Sequence, residues 1–160
     1  MRRSKLDAVA ADAPACTRAA LEWLARREHS RLELTRKLAA RGFPAEIIAP
    51  VLAELERSGA LAEARFTATF VRSRVAKGQG PARIRAELAQ RGIAASDAEG
   101  VLREADVDWL ATIQAVRRKR FGPDPPRDYA ERARQARFLQ YRGFSTAQIR
   151  AVLALDADSD

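Results

Sequence analysis

RGFSTAQI, Arg142 to Ile149, decides the fold, because close versions of it begin at Arg41 (RGFPAEII) and at Arg91 (RGIAASDA). The glycines of these corners, Gly42, Gly92 and Gly143, are 50 and 51 residues apart. The match extends to both sides. Leu38, Leu88 and Leu139 each stand four residues before the glycine, and Phe43, Ile93 and Phe144 follow it directly. Val51-Leu52, Val101-Leu102 and Val152-Leu153 close each segment at one common offset. Three matched columns make a repeat, and a period near 50 residues is that of a stacked helical array.

Each repeat reads as helices. Leu34 with Leu38, and Ile84 with Leu88, are four residues apart and share a helical face, as do Ile47, Val51 and Leu55 after the first corner. Ser30 with Glu33, and Ser145 with Gln148, have the spacing of a capping box, while Pro44 and Pro81 suit a first helical turn. The glycine is a helix stop: the residue past a helix end adopts a left-handed backbone, and the apolar residue after it packs back. A preceding helix is expected at 17–28, 62–77 and 107–121. The fold class is all-α, three tandem three-helix modules, with an elongated, curved array as the expected form, since each module has little core of its own. The expected division is a disordered leader 1–14, modules 15–58, 59–105 and 106–155, and an acidic frayed tail 156–160. Gly122–Asp128 (GPDPPRD) is expected as a stiff loop, because its prolines cannot continue a helix.

Composition narrows the function. The 160 residues carry a formal charge of +8, mostly from arginine, which suits a polyanion or an acidic protein surface. Cys16 is the only cysteine, so no intrachain disulfide forms and a reducing cytoplasm is the natural setting. No apolar run reaches transmembrane length. No catalytic group, cofactor or metal site is indicated. His29 is the only histidine and is expected at the surface, and Cys16 lacks a histidine partner. KGQGPARI, Lys77 to Ile84, has Gly-x-Gly but Arg83 where a dinucleotide loop needs glycine.

Charge is distributed unevenly. Arg65, Arg72, Arg74, Lys77, Arg83, Arg85 and Arg91 face Glu87 alone in their stretch, and the run from Arg117 to Arg150 is strongly basic. The first module mixes signs. For any single arginine a solvating role is the simpler account; as blocks, the two runs are read as a binding surface. Its candidate residues are Arg72, Arg74, Lys77, Arg83, Arg85, Arg117, Arg118, Lys119, Arg120, Arg134 and Arg137. Phe138 stands where the other repeats have Lys37 and Glu87, so it is either exposed or packed in its own way.

The segments GQGPARIRAELAQRGI, RGFSTAQIRAVL and LELTRKLAARGF resemble the RecX family of recombination regulators, from about Cys16 to Leu155. Gly80-Pro81-x-Arg83-Ile84 is the most specific part. One departure stands out: Ala62-Glu63-Ala64-Arg65-Phe66-Thr67 has one acidic residue where the family has two. The resemblance implies a curved array of three-helix modules that acts in recombination regulation, DNA repair and the SOS response, and the chain is expected to be a cytoplasmic monomer. It implies binding to the RecA filament on single-stranded DNA, lodged in the groove of that filament, with inhibition of ATPase, strand-exchange and co-protease activities. Double-stranded DNA is a secondary candidate partner. The alternative is a DNA-binding protein without RecA dependence, either non-specific or of helix-turn-helix type with each corner as the turn. PAEIIAPVL and STAQIRAVL offer few side chains that read base edges, which weighs against sequence-specific recognition.

Overall fold

A computed structural model describes the backbone of residues 5–155 and the side chains of residues 12–154. Among these residues there are nine helices and no strands: α1 Lys5–Leu24, α2 Arg31–Ala40, α3 Ala45–Arg57, α4 Glu63–Ala76, α5 Pro81–Gln90, α6 Ala95–Glu104, α7 Trp109–Phe121, α8 Tyr129–Tyr141 and α9 Thr146–Leu155. Gly122–Asp128 is non-helical, in line with its prolines.

The corners stop helices as their glycines require. Gly42, Gly92 and Gly143 have φ of 95°, 79° and 98°. At the first corner, Gly42 N–H donates to Ala39 O (2.9 Å) and Phe43 N–H to Leu38 O (3.2 Å). At the third, Gly143 N–H donates to Gln140 O (3.0 Å) and Phe144 N–H to Leu139 O (3.2 Å). These paired bonds satisfy the last helical carbonyls and swing the following phenylalanine inward. Leu38, Leu88 and Leu139 are all fully buried. The repeat columns are core columns.

The two capping boxes differ. Ser145 and Gln148 are reciprocal: Gln148 N–H donates to Ser145 Oγ (3.1 Å), and Ser145 N–H to Gln148 Oε1 (2.8 Å). Ser30 Oγ accepts from Glu33 N–H (3.1 Å), but the Glu33 carboxylate turns away to Arg27 (2.9 Å) and Arg91 (3.2 Å). A charged partner wins over the neutral amide there. Pro81 opens α5, whereas Pro44 is the N-cap of α3.

One expectation is corrected. Residues 1–14 are expected as a disordered leader, yet α1 begins at Lys5 and continues through Pro14. Ala8, Ala10, Ala11, Ala13 and Ala15 give this stretch high helix propensity, and Pro14 lies on an exposed side of the helix. Residues 1–4 and the acidic tail 156–160 lie outside the described residues.

Compact units do not follow the repeats. One unit holds the chain up to Thr69 together with Gln90–Ile93, and the other holds Phe70–Ala89 with the chain from Ala94 on. The division falls inside α4 and splits the second repeat, as expected if a bundle of this length buries too little to stand alone. In the first unit, α3 packs on α1 and α2 around Cys16, Ala20, Leu34, Leu38, Leu52 and Leu61. In the second, α7, α8 and α9 enclose Ile113, Leu139, Phe144, Ile149, Val152 and Leu153.

Candidate functional site

The second unit is organised by a junction between KGQGPAR and the third corner. Gly80 N–H donates to Arg142 O (2.7 Å) and Ala82 N–H to Gly143 O (3.0 Å). These amides at the start of α5 are the groups a phosphate-binding loop would present. Here they are bound by carbonyls of the same chain, so Gly-x-Gly serves packing. A Cβ on Gly80 would run into the Gly143 and Phe144 backbone, and one on Gly143 into Arg83. Arg142 Nη1 also donates to Lys77 O (3.1 Å).

With that frame in place, the candidate cations separate into classes. Arg74 pairs with Glu87 (2.8 Å) and lies 4.4 Å from the Phe70 ring centroid. Arg83 reaches the same Glu87 (3.5 Å) and lies 5.3 Å from the ring centroid of Tyr141, a side chain 75% exposed. Arg85 pairs with both carboxylate oxygens of Glu99. One glutamate serving two arginines restrains both, although such partly exposed pairs contribute only about 0.2–1 kcal/mol to stability. Arg72 is exposed.

Arg117 is a correction. Expected on the binding surface, it is buried (1% exposed), with Nη1 donating to Asp124 O (3.2 Å) and Gln135 Oε1 (3.3 Å). It ties the proline loop to α8 and is unavailable to a partner. Its neighbours Arg118, Lys119 and Arg120 are exposed in the last turn of α7. Among the described residues, Lys77, Arg118, Lys119, Arg120, Arg134 and Arg137 form no ion pair with a carboxylate.

Three of these meet in one groove. Lys77 after α4, and Lys119 and Arg120 of α7, line a space of about 480 Å³ with Arg142. Thr112, Ala115 and Val116 form its floor, at i, i+3 and i+4 on the stripe of α7 that continues into Lys119 and Arg120. Phe138 closes one side, half-buried, edge-on to Phe121 with ring centroids 5.3 Å apart. Arg120 and Arg142 lie 5.7 and 5.3 Å from the Phe138 centroid. Arg134 and Arg137 do not join: Arg134 stands near Phe121, and Arg137 lines a second groove between α8 and α9.

Sequence reasoning missed Arg142, which it used only as part of a helix stop. It also missed exposed Tyr129 and Tyr141. Period-based reading could have flagged the tyrosines, because neither occupies a repeated core column.

The groups weighed for catalysis have structural roles. Contrary to the expected surface position, His29 is 1% exposed; Nδ1 donates to Arg27 O (3.0 Å) and Nε2 accepts from Lys37 Nζ (3.0 Å). Burial lowers its pKa below the ordinary 6.5; the bond to the Arg27 carbonyl and the Glu33 charge oppose this, while the charges of Arg27 and Lys37 add to it. Cys16 is fully buried and its thiol pKa is raised by desolvation. Glu63, the acid retained in the departing motif, accepts from Arg31 N–H (2.9 Å) at the start of α2. Among the described residues no three metal-ligating side chains gather.

Comparison with known proteins follows the same three segments. The first, second and third three-helix domains of RecX match residues 16–55, 63–102 and 106–153. Regulatory protein RecX of Halorhodospira halophila is 54% identical over 142 residues, 89% of this chain and 88% of that protein. The Pseudomonas entomophila protein of the same name is 49% identical over 140 residues, 88% of this chain and 90% of that protein. A crystal structure of RecX from Lactobacillus salivarius superposes with a TM-score of 0.78, at 21% identity, covering 92% of this chain and 98% of that one. At that identity the likeness concerns the fold.

Proposed function

This chain belongs to the RecX family, and on that premise we propose that it binds the RecA filament on single-stranded DNA and inhibits its ATPase, strand-exchange and co-protease activities. The observation that carries the reading is the set of exposed cations in the second unit that hold no carboxylate among the described residues, with Lys77, Lys119 and Arg120 gathered in one groove. Such charges are ready for a phosphate backbone or an acidic protein surface, and they change little in folding stability when removed.

The protein acts without turnover of its own, as a monomer, and contacts DNA as an accessory to filament binding. No helix among the described residues is long and apolar enough to cross a membrane. A helix-turn-helix reader would present base-reading side chains after the corners. On α3 the exposed positions include Ala45, Glu46, Ala49 and Glu54: the alanines offer no hydrogen bond to a base edge, and the glutamates repel the phosphates that flank it.

Co-sedimentation with assembled RecA filaments tests this, with bare single-stranded DNA as control and ATP hydrolysis as the activity readout. The expected result is pelleting with filaments and slowed hydrolysis. Pelleting that depends on DNA alone, with hydrolysis unchanged, would replace the proposal by plain DNA binding.

A further inference from the structure

We propose that the groove formed by Lys77, α7 and α8 accepts one base of a single-stranded nucleic acid, with the adjoining phosphates held by Lys77, Lys119 and Arg120. This deepens the proposed function by naming the chemistry held at its central cations, but it stands without RecA.

The groove has a polarity that matches a nucleotide. Its floor, Thr112, Ala115 and Val116 with Val75 and Ala76 beside it, is small and mostly apolar, and its α7 stripe passes within one turn to Lys119 and Arg120. A volume of about 480 Å³ falls in the range of small-ligand sites. Phe138 orients Arg120 and Arg142, whose planar guanidinium groups can stack on a base as well as bind phosphate. Among the described residues four cations and no carboxylate line the groove.

Helix ends oppose this charge, and magnitudes decide the outcome. α4, α7 and α8 all end near the groove, and each C-terminus contributes roughly −0.5 charge. Their sum, about −1.5, leaves the four full positive charges in clear excess. An anion is still favoured.

A strand fits better than a free nucleotide. Arg118, next to Lys119 in the chain, is exposed, and Arg134 stands 6.0 Å from the Phe121 ring centroid. A mononucleotide would leave these cations unused, whereas flanking phosphates of a strand have them within the same unit. An acidic peptide would satisfy the charge and leave the apolar floor without a partner.

The test is fluorescence anisotropy of labelled oligothymidine against a labelled abasic strand of equal length, at one salt concentration. Wild-type protein is expected to bind oligothymidine about fivefold or more tightly, the lower range for stacking of one base. Ala115→Leu, at an exposed position, fills the floor with a branched aliphatic side chain that offers no stacking face, and it keeps every cation. It should bring the preference for oligothymidine over the abasic strand down towards one. Lys119→Glu with Arg120→Glu should weaken both probes. Equal wild-type affinity for the two strands overturns the proposal and does so without any variant having to fold. That result would leave RecA inhibition standing, and a failure to inhibit RecA would leave base preference standing.

Discussion

The two units pair the same residue type to different extents. In the first, six arginines are matched, Arg27 with Glu33, Arg31 with Glu56, Arg41 with Glu22, Arg57 with Glu54, Arg65 with Glu28 and Arg91 with Glu33, while Arg18, Arg26 and Arg36 hold no carboxylate among the described residues. In the second, Glu87 serves Arg74 and Arg83, Glu99 serves Arg85 and Glu131 serves Arg127. Lys77, Arg118, Lys119, Arg120, Arg134 and Arg137 then remain without a carboxylate among the described residues. Paired arginine steadies the fold slightly, whereas unpaired arginine is a standing invitation to an anion. Net charge alone did not separate these roles.

The glycines sharpen the contrast most strongly. Gly42 and Gly143 end helices with the same bonds and nearly the same φ, 95° and 98°. A Cβ on Gly42 meets nothing within 4 Å, whereas one on Gly143 overlaps Arg83 Cβ and comes within 2.6 Å of its N. Gly42→Ala is expected to cost about 1 kcal/mol, from backbone strain alone. Gly143→Ala should cost about 3 kcal/mol, since overpacking adds to the same strain. In thermal melts the Gly143 variant should fall by about 6–12 °C. Gly92→Val, with Leu32 Cβ 2.9 Å from the added Cβ, belongs between them. Equal losses at Gly42 and Gly143 would show that Gly143 is only a helix stop and that its contact with α5 carries no weight.

Charge reversal probes the contrast directly. Lys119→Glu with Arg120→Glu should weaken RecA inhibition tenfold or more, a change of about 1.4 kcal/mol, with helical content unchanged. Arg26→Glu with Arg27→Glu, in the first unit, should change it by about twofold or less. If phosphates are the target, the log–log salt slope for single-stranded DNA flattens by about 1.4 units in the first variant. An acidic filament surface predicts an unchanged slope alongside lost inhibition. Equal losses of inhibition from both variants would dissolve the distinction between units.

The smallest expected effect belongs to His29. Its folded pKa lies below the ordinary 6.5, so the unfolded chain binds a proton more readily. Its contribution is therefore fully present above about 6.5 and is lost as pH falls through the folded pKa. Facing it are Lys37 Nζ and the Arg27 carbonyl, with the charges of Arg27 and Glu33 nearby. As the chain's only histidine, it is the one side chain with an ordinary pKa in this range. Urea melts at pH 7.5 and 5.5 should show a shallower pH dependence for His29→Gln than for wild type. Identical slopes would mean that the buried ring does not titrate in this window.

The sequence by itself determined the helices, their stops and the threefold repeat. Each of those depends on residues a few positions apart: Leu38 and Leu34 on one face, Gln148 reaching Ser145, Gly143 bending left-handed after Arg142. It also pointed to the basic runs, among them Lys77, Lys119 and Arg120, which the fold brings to one groove. Only the tertiary structure decided which cations are available. Arg74 is taken by Glu87 thirteen residues away, Arg85 by Glu99 fourteen away, and Arg117 is drawn inside by Gln135. Arg142 reaches Lys77 across 65 positions. A side chain finds its partner by distance in space, and burial removes it from solvent whatever its charge. No local pattern encodes either outcome.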